Sequence, residues 1–359
     1  MGLKKDFLDP ISQTRSGRNN LITDVPGVKV GHQTLKDSRL KTGVTAILPC
    51  SDNIFREKMP AAMHVINGFG KSTGSIQIEE LGTLETPLVL TNTLSVGTAY
   101  QAVVEKMIAQ NPEIGLTTGT VNPVVLECND GKINHIRDLA VTKADVFTAF
   151  EKADEIFAEG AVGAGTGMCC YDLKGGIGSA SRQIEIDGRI FTLGALVLTN
   201  FGFLEDLTIY NYPLGQELHK QQEPHKEKGS IVTVLATDIP FDSRQLKRIA
   251  KRSSVGITRT GAFIGNESGE ITLAFSTANR RSHFPQKKLH TQLGISEENM
   301  DDYFRMTASC VEEAVISSLV HAKTTEDVFG KQCLSLADAL RTLPDNPGVV
   351  KLKKQLGLF

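Results

Sequence analysis

The stretch Gly229-Ser230-Ile231-Val232-Thr233-Val234-Leu235-Ala236-Thr237 joins a polar segment to an apolar one. From Ile231 onward it is β-branched and apolar, the composition of a buried strand. Ahead of it, His219-Lys220-Gln221-Gln222-Glu223-Pro224-His225-Lys226-Glu227-Lys228 has no apolar periodicity and reads as an exposed loop. A cut between Gly229 and Ser230 would leave a hydroxyl and a new α-amine on one residue. An α-amine titrates near pH ~8, so part of it is free base at neutral pH. Such an amine can take the proton of a serine hydroxyl, otherwise a poor nucleophile. A serine that simply opens a strand is the other reading, and two residues do not choose between them.

The chain has 359 residues, 40% hydrophobic and 22% charged, enough for one large domain or two ordinary ones with an ample core. A formal net charge of -2 and a pI near 6.5 argue against a nucleic-acid partner, which needs concentrated positive charge. The basic residues Lys247, Arg248, Lys251 and Arg252 alternate with Leu246, Ile249 and Ala250, as on the solvated face of an amphipathic helix. No apolar run approaches ~20 residues, so no membrane span is expected. Met1-Gly2-Leu3-Lys4-Lys5-Asp6 leads into no apolar h-region and carries Asp6 where a myristoylation signal needs Ser or Thr. Cys50, Cys128, Cys169, Cys170, Cys310 and Cys333 lack paired spacing and are read as reduced thiols of a cytoplasmic protein.

Residues 1–20 read as a flexible or draping arm, and the globular part begins at Leu21. Within 21–32 a turn leads into a short strand, and further strands are predicted at 42–48, 86–91, 183–186, 189–198, 230–237, 261–265 and 271–276. Helices are predicted at 97–108, 141–158, 300–323 and 334–342. Without regular βαβ alternation, this mixture favours stacked antiparallel or mixed sheets covered by helices, an α+β protein. The segment from about 215 to 229 is linker-like.

Three signals invite a ligand and fail on inspection. Gly70-Lys71-Ser72-Thr73 resembles a P-loop, but Val65 stands where its first glycine belongs. Gly160 to Gly167 follows a helical pattern with the wrong spacing for a dinucleotide fingerprint, and tight backbone packing explains it better. His219 and His225 lie in the polar loop, and no histidine shows metal-ligand spacing, so no metal or organic cofactor is expected.

Several separated motifs resemble the DmpA-like aminopeptidases, the family of L-aminopeptidase/D-amidase-esterases and β-peptidyl aminopeptidases. The first is Asn20-Leu21-Ile22-Thr23-Asp24-Val25-Pro26-Gly27-Val28-Lys29-Val30-Gly31-His32; the second runs from Leu84 through Thr91-Asn92-Thr93-Leu94-Ser95-Val96-Gly97. Val162-Gly163-Ala164-Gly165-Thr166-Gly167 with Lys174-Gly175-Gly176-Ile177-Gly178 is similar to a third. Leu207-Thr208-Ile209, Pro213-Leu214-Gly215, Gly229-Ser230-Ile231 and Ala236-Thr237-Asp238 match the segment around a processing site. The resemblance covers about residues 20–323.

It implies an αββα sandwich, shared with ornithine acetyltransferases, in a domain spanning 21–359. It also implies a single self-cleavage, giving an α-chain 1–229 and a β-chain 230–359 that stay together as a homotetramer of processed units. Substrates would be short peptides, amino-acid amides or esters. Ser230 is carried across as nucleophile and Asn200 as oxyanion donor, although alone Asn200 reads as a strand-end cap. Glu127 would receive the substrate ammonium, and Ser268 and Glu270 would tune the nucleophile's amine. Lys174 and Asp238 are given supporting roles. Asn129 stands in the substrate site where some relatives have tyrosine, a departure that fits either the β-peptidyl branch or an unassigned relative and leaves the stereochemical preference open. Acyl transfer and an uncleaved binding protein are the rival readings; the acyltransferases use threonine where this chain has Ser230.

Overall fold

Two β-sheets lie face to face between layers of helices in the computed structural model, which describes residues 14–218 and 229–358. β1 (Lys29–Lys36) and β2 (Lys41–Leu48) open the first sheet, and β3 (Glu57–Gly68) crosses into the second. After α1 (Ser75–Leu81) and the short β4 (Thr83–Leu84), the chain returns to the first sheet with β5 (Leu88–Asn92). There α2 (Val96–Gln110), β6 (Val124–Cys128) and α3 (Lys143–Glu151) complete the sheet and its helical cover. A small ribbon, β7 (Cys169–Cys170) with β8 (Leu173–Lys174), leads into β9 (Ile177–Ile186) and β10 (Arg189–Asn200). Beyond α4 (Leu214–Leu218), β11 (Ser230–Thr237), α5 (Ser243–Arg259), β12 (Gly269–Ser276) and β13 (Arg281–Ser282) finish the second sheet. Then come α6 (Met300–Val320), the hairpin of β14 (Thr325–Glu326) and β15 (Gln332–Cys333), α7 (Leu336–Arg341) and α8 (Pro347–Leu356).

The first sheet has the order β1-β2-β5-β6 and the second β13-β3-β12-β11-β10-β9, with β4 beside β3. Only β5/β6 and β11/β12 are parallel among the long pairs. A parallel pair needs a crossover, and α5 supplies it between β11 and β12. All eight residues of β11 are buried because both its faces are covered. Val232, Val234 and Ala236 join the core shared with the first sheet, while Ile231 and Leu235 pack with Leu246 and Ile249 of α5 and Val311 and Val315 of α6. The expected αββα sandwich is therefore the fold.

Asp242 caps α5, accepting from the Gln245 N–H at 2.6 Å. Its basic residues stay on the outer face: Lys247 pairs with Glu79, Arg248 with Glu297, and the Arg252 guanidinium lies 3.8 Å above the Phe304 ring. The first motif is structural. Asp24 accepts the Asn19 and Leu21 N–H groups and the Ser181 hydroxyl, fastening that turn to β9. Asn20 bonds Glu313 of α6, which pairs with the buried Arg182 of β9. Glu313→Ala would remove the carboxylate that pairs with that buried guanidinium, and should cost ~3–5 kcal/mol of stability. Urea unfolding checks this: an unchanged midpoint would show the pair to be dispensable.

Several expectations need correction. Helix 141–158 shortens to Lys143–Glu151, because Asp154 bonds backbone to backbone with Val30 of β1 instead of continuing the turn. Gly31 permits that approach: a Cβ there would stand 2.6 Å from the Ala153 nitrogen. Residues 261–265 form a loop after α5 and not a strand, with Ile264 at φ 62. β3, β6 and α8 were not anticipated. The linker-like segment begins as α4, and its residues 219–228, with His219 and His225, lie outside the described residues, as do 1–13 of the arm. Residues 14–20 drape along β9, where Arg15 and Gln183 exchange backbone hydrogen bonds. All six cysteines are unbridged and buried.

Candidate active site

Ser230 is the first residue of β11. In register it faces Asn200, the last residue of the antiparallel β10, and Gly269, the first residue of the parallel β12. Three strand ends thus meet at one edge of the second sheet. The Ser230 hydroxyl donates to the Gly229 carbonyl at 2.6 Å, and the Gly269 N–H donates to the same oxygen at 3.3 Å. Two donors on one carbonyl polarise it toward attack. Glycine is needed at 269, since a Cβ there would meet the Phe69 carbonyl at 2.6 Å and the Ser230 Oγ at 3.3 Å.

Asn200 is buried and its amide orientation is forced by its partners. Oδ1 accepts the Cys169 N–H at 2.9 Å, and Nδ2 donates to the Asn129 carbonyl at 2.9 Å. The second hydrogen of Nδ2 has no partner among the described residues, so one donor remains for a developing oxyanion. The cap reading of this asparagine gives way to a bridge between two loops. Asn129 meets the site through its carbonyl, while its Oδ1 accepts the Gly131 N–H at 2.8 Å within a turn.

Glu127 lies on β6 of the opposite sheet and is only 4% exposed. Its Oε1 accepts the Lys71 N–H at 2.8 Å, and Oε2 accepts the Thr93 hydroxyl. Those bonds use part of the carboxylate's acceptor capacity and leave lone pairs for an ammonium. Its neighbour Cys128 ties β6 to β10 through the Leu198 carbonyl at 3.5 Å. Burial pushes the Cys128 thiol well up, and the charges of Glu127 and, more weakly, Glu270 push the same way, so both carboxylates lie within electrostatic reach of it.

Ser268 and Glu270 are buried on either side of Gly269, and the Ser268 hydroxyl donates to Glu270 Oε1. Asn67 of β3 fastens this turn, its amide donating to the Gly265 carbonyl at 3.0 Å and also to that of Ser268. The segment read as a plain hairpin turn is therefore a strapped entry to β12. Lys174 is fully buried and donates to the Gly165, Met168 and Gly175 carbonyls at 3.2, 2.6 and 2.9 Å. Burial lowers its ammonium to about 8, and its bonds hold the loop that carries Cys169. Asp238 accepts the Thr192 N–H at 2.7 Å beyond the far end of β11, a strap remote from Ser230.

Sequence reasoning missed Lys71, Thr93 and Asn67. Gly70-Lys71 was weighed only as a phosphate loop, and Thr93 sat inside a quoted motif without a role. Among the described residues no His/Cys/Asp/Glu group could hold a metal ion, and no helix is long and apolar enough to cross a membrane.

The chain is similar to several known proteins. The chain is 47% identical to the PH0078 protein of Pyrococcus horikoshii OT3, with a TM-score of 0.86 over 93% of this chain and 94% of that one. It superposes on the L-aminopeptidase D-Ala-esterase/amidase of Ochrobactrum anthropi, described as a prototype serine aminopeptidase with a variant Ntn hydrolase fold. There the TM-score is 0.85 at 36% identity, covering 95% and 96% of the two chains. It is also 35% identical over 341 residues to the β-peptidyl aminopeptidase BapA of Sphingosinicella microcystinivorans, covering 88% of this chain and 85% of that one. The family model for peptidase family S58 matches residues 20–333. With its strand-end serine, its sandwich and that span of matching sequence, the chain belongs to peptidase family S58 and is a hydrolase of peptide or amide bonds.

Proposed function

We propose that the protein is a self-processing aminopeptidase/amidase whose nucleophile is Ser230. Cleavage of the Gly229–Ser230 bond gives an α-chain 1–229 and a β-chain 230–359, which remain packed together. One observation carries this reading: the Ser230 hydroxyl lies on the Gly229 carbonyl between Asn200 and Gly269. In the first step Oγ attacks the Gly229 carbonyl carbon, and the Gly269 N–H steadies the oxygen. The Gly229–Ser230 C–N bond breaks as the ester forms, leaving the Ser230 amine free, and water then hydrolyses the ester to release the Gly229 carboxylate and the Ser230 hydroxyl.

In turnover that amine accepts the Oγ proton while Oγ attacks the substrate's first carbonyl. The Asn200 amide and a backbone N–H hold the oxyanion, and the amine then activates water against the acyl-enzyme. Ser268 and Glu270, beside Gly269, adjust the amine's protonation. Glu127 receives the substrate's ammonium, which selects a free N-terminus. Family membership favours hydrolysis over acyl transfer. Short peptides, amino-acid amides or esters are the substrate class, and the names of the relatives bring both β-peptides and L-aminoacyl compounds into it. The unbridged thiols fit a cytoplasmic enzyme, and the assembly completing this reading is a homotetramer.

Terminal sequencing of purified protein should find a second N-terminus at Ser230. Glu127→Gln should reduce kcat/KM on free aminoacyl-anilides about 10- to 100-fold, from the ~1.5–3 kcal/mol of a charge-assisted bond. Loss through raised KM with near-normal kcat is the signature of ammonium capture, and N-acetylated substrates should be rejected by both proteins. Equal kcat/KM in wild type and variant would remove Glu127 from the site.

A further inference from the structure

Cys169 and Cys333 are 164 residues apart in sequence, yet their sulfurs stand 3.4 Å apart. The backbone holds them there: Cys169 pairs with Lys174 in the β7/β8 ribbon, and the Lys174 N–H donates to the Leu334 carbonyl at 2.7 Å. Cys333 also lines a cavity of about 370 Å³ with Lys132, Asp172, Asp327 and Lys331, a route by which a small oxidant reaches the pair. The hydrogen bond between the two sulfurs, with Lys132 and Lys174 nearby, lowers the Cys169 thiol, whereas burial raises Cys50, Cys128, Cys170 and Cys310. Cys169 also touches the candidate site. Its backbone N–H is the donor that holds Asn200 Oδ1.

We infer that Cys169 and Cys333 are a redox modification site: a hydroperoxide converts them to a reversible disulfide that slows the enzyme by displacing the Cys169 amide from Asn200. The Cys169 thiolate attacks a peroxide oxygen, the O–O bond breaks, and the departing oxygen takes up the proton the thiol shed, so a sulfenic acid forms with one water (an alcohol from an organic hydroperoxide). The Cys333 sulfur then attacks the Cys169 sulfur, and hydroxide leaves with the Cys333 proton as a second water. Two thiols lose two electrons to the peroxide, in the order expected of cysteine oxidation. Closing the sulfurs from 3.4 Å to ~2.05 Å moves both segments, and the bond to Asn200 has little slack at 2.9 Å.

The proposal rests on the self-cleavage reading for one consequence. After processing, Cys169 belongs to the α-chain and Cys333 to the β-chain, so oxidation rejoins the two covalently.

The test treats purified enzyme with hydrogen peroxide, blocks remaining thiols by alkylation, and compares gels with and without dithiothreitol, with peptide mapping and aminoacyl-anilide assays. The expected result is a linked 38.9 kDa band without reductant that separates on reduction. Activity should fall at least ~10-fold, toward the ~10²–10³ loss of an oxyanion donor, and return with dithiothreitol. Cys333→Ser should keep its activity under the same peroxide dose and show no linked band. Absence of a Cys169–Cys333 peptide, a disulfide with unchanged activity, or equal inactivation of Cys333→Ser would overturn the proposal. A single band under reducing conditions would instead defeat self-cleavage, and the mapped peptide with the activity readout would still decide the redox site.

Discussion

Ser230→Ala protein should purify as one unbroken 359-residue polypeptide and show essentially no aminopeptidase activity. The substitution removes the oxygen that lies on the Gly229 carbonyl and leaves the strand pairing with Asn200 and Gly269 intact. Folding should be retained, because Ser230 enters the sheet through its backbone. Turnover should fall by ~10⁴-fold or more, the scale seen when an activated nucleophile is deleted. Intact mass and anilide hydrolysis measured on the same preparation check both effects. Ser230→Cys, which keeps a nucleophile there, should still be cut. A Ser230→Ala preparation that resolves into two chains, or that hydrolyses substrate at the wild-type rate, would sink the mechanism.

Asn200→Ala carries the second-largest expected effect. One preorganised donor at an oxyanion is worth ~10²–10³ in kcat, so loss should appear in kcat more than in KM. The change also orphans the Cys169 N–H and the Asn129 carbonyl, at ~1–3 kcal/mol for each group left unpaired. Asn200→Asp separates these contributions. It keeps an acceptor for Cys169 but offers no N–H to an oxyanion, so it should be as slow as the alanine variant. Steady-state kinetics normalised to the processed fraction give the comparison. An aspartate variant with near-normal kcat would show that Asn200 only braces the loops.

Parts of this molecule were legible in its sequence because they depend on local pattern. The apolar run 230–237 and the helical spacing around Lys247 to Arg252 appear where expected, as β11 and α5. β3 was hidden because Pro60, Glu57 and His64 break its alternation, and its strand character comes from pairing with β12 along most of its length. β6 is only five residues long and gains its place from the parallel partner β5. The 141–158 pattern overran its helix because a backbone exchange with Val30, distant in sequence, outcompeted the next turn.

The site divides in the same way. Ser230, Asn200, Glu127, Ser268 and Glu270 were each nameable from motifs. Nothing in those motifs showed that Lys71 and Thr93 grip Glu127, or that Asn129 contributes a carbonyl and not a side chain. From the order of residues alone came the loop-to-strand junction at Ser230 and the residue types beside it, since composition and periodicity act within a few neighbours. Tertiary structure alone decided that Asn200 and Gly269 flank Ser230, and that Lys71 and Thr93 hold Glu127 on the opposite sheet. Strand register and sheet stacking are settled by contacts between distant segments, whose energies no local window of sequence contains.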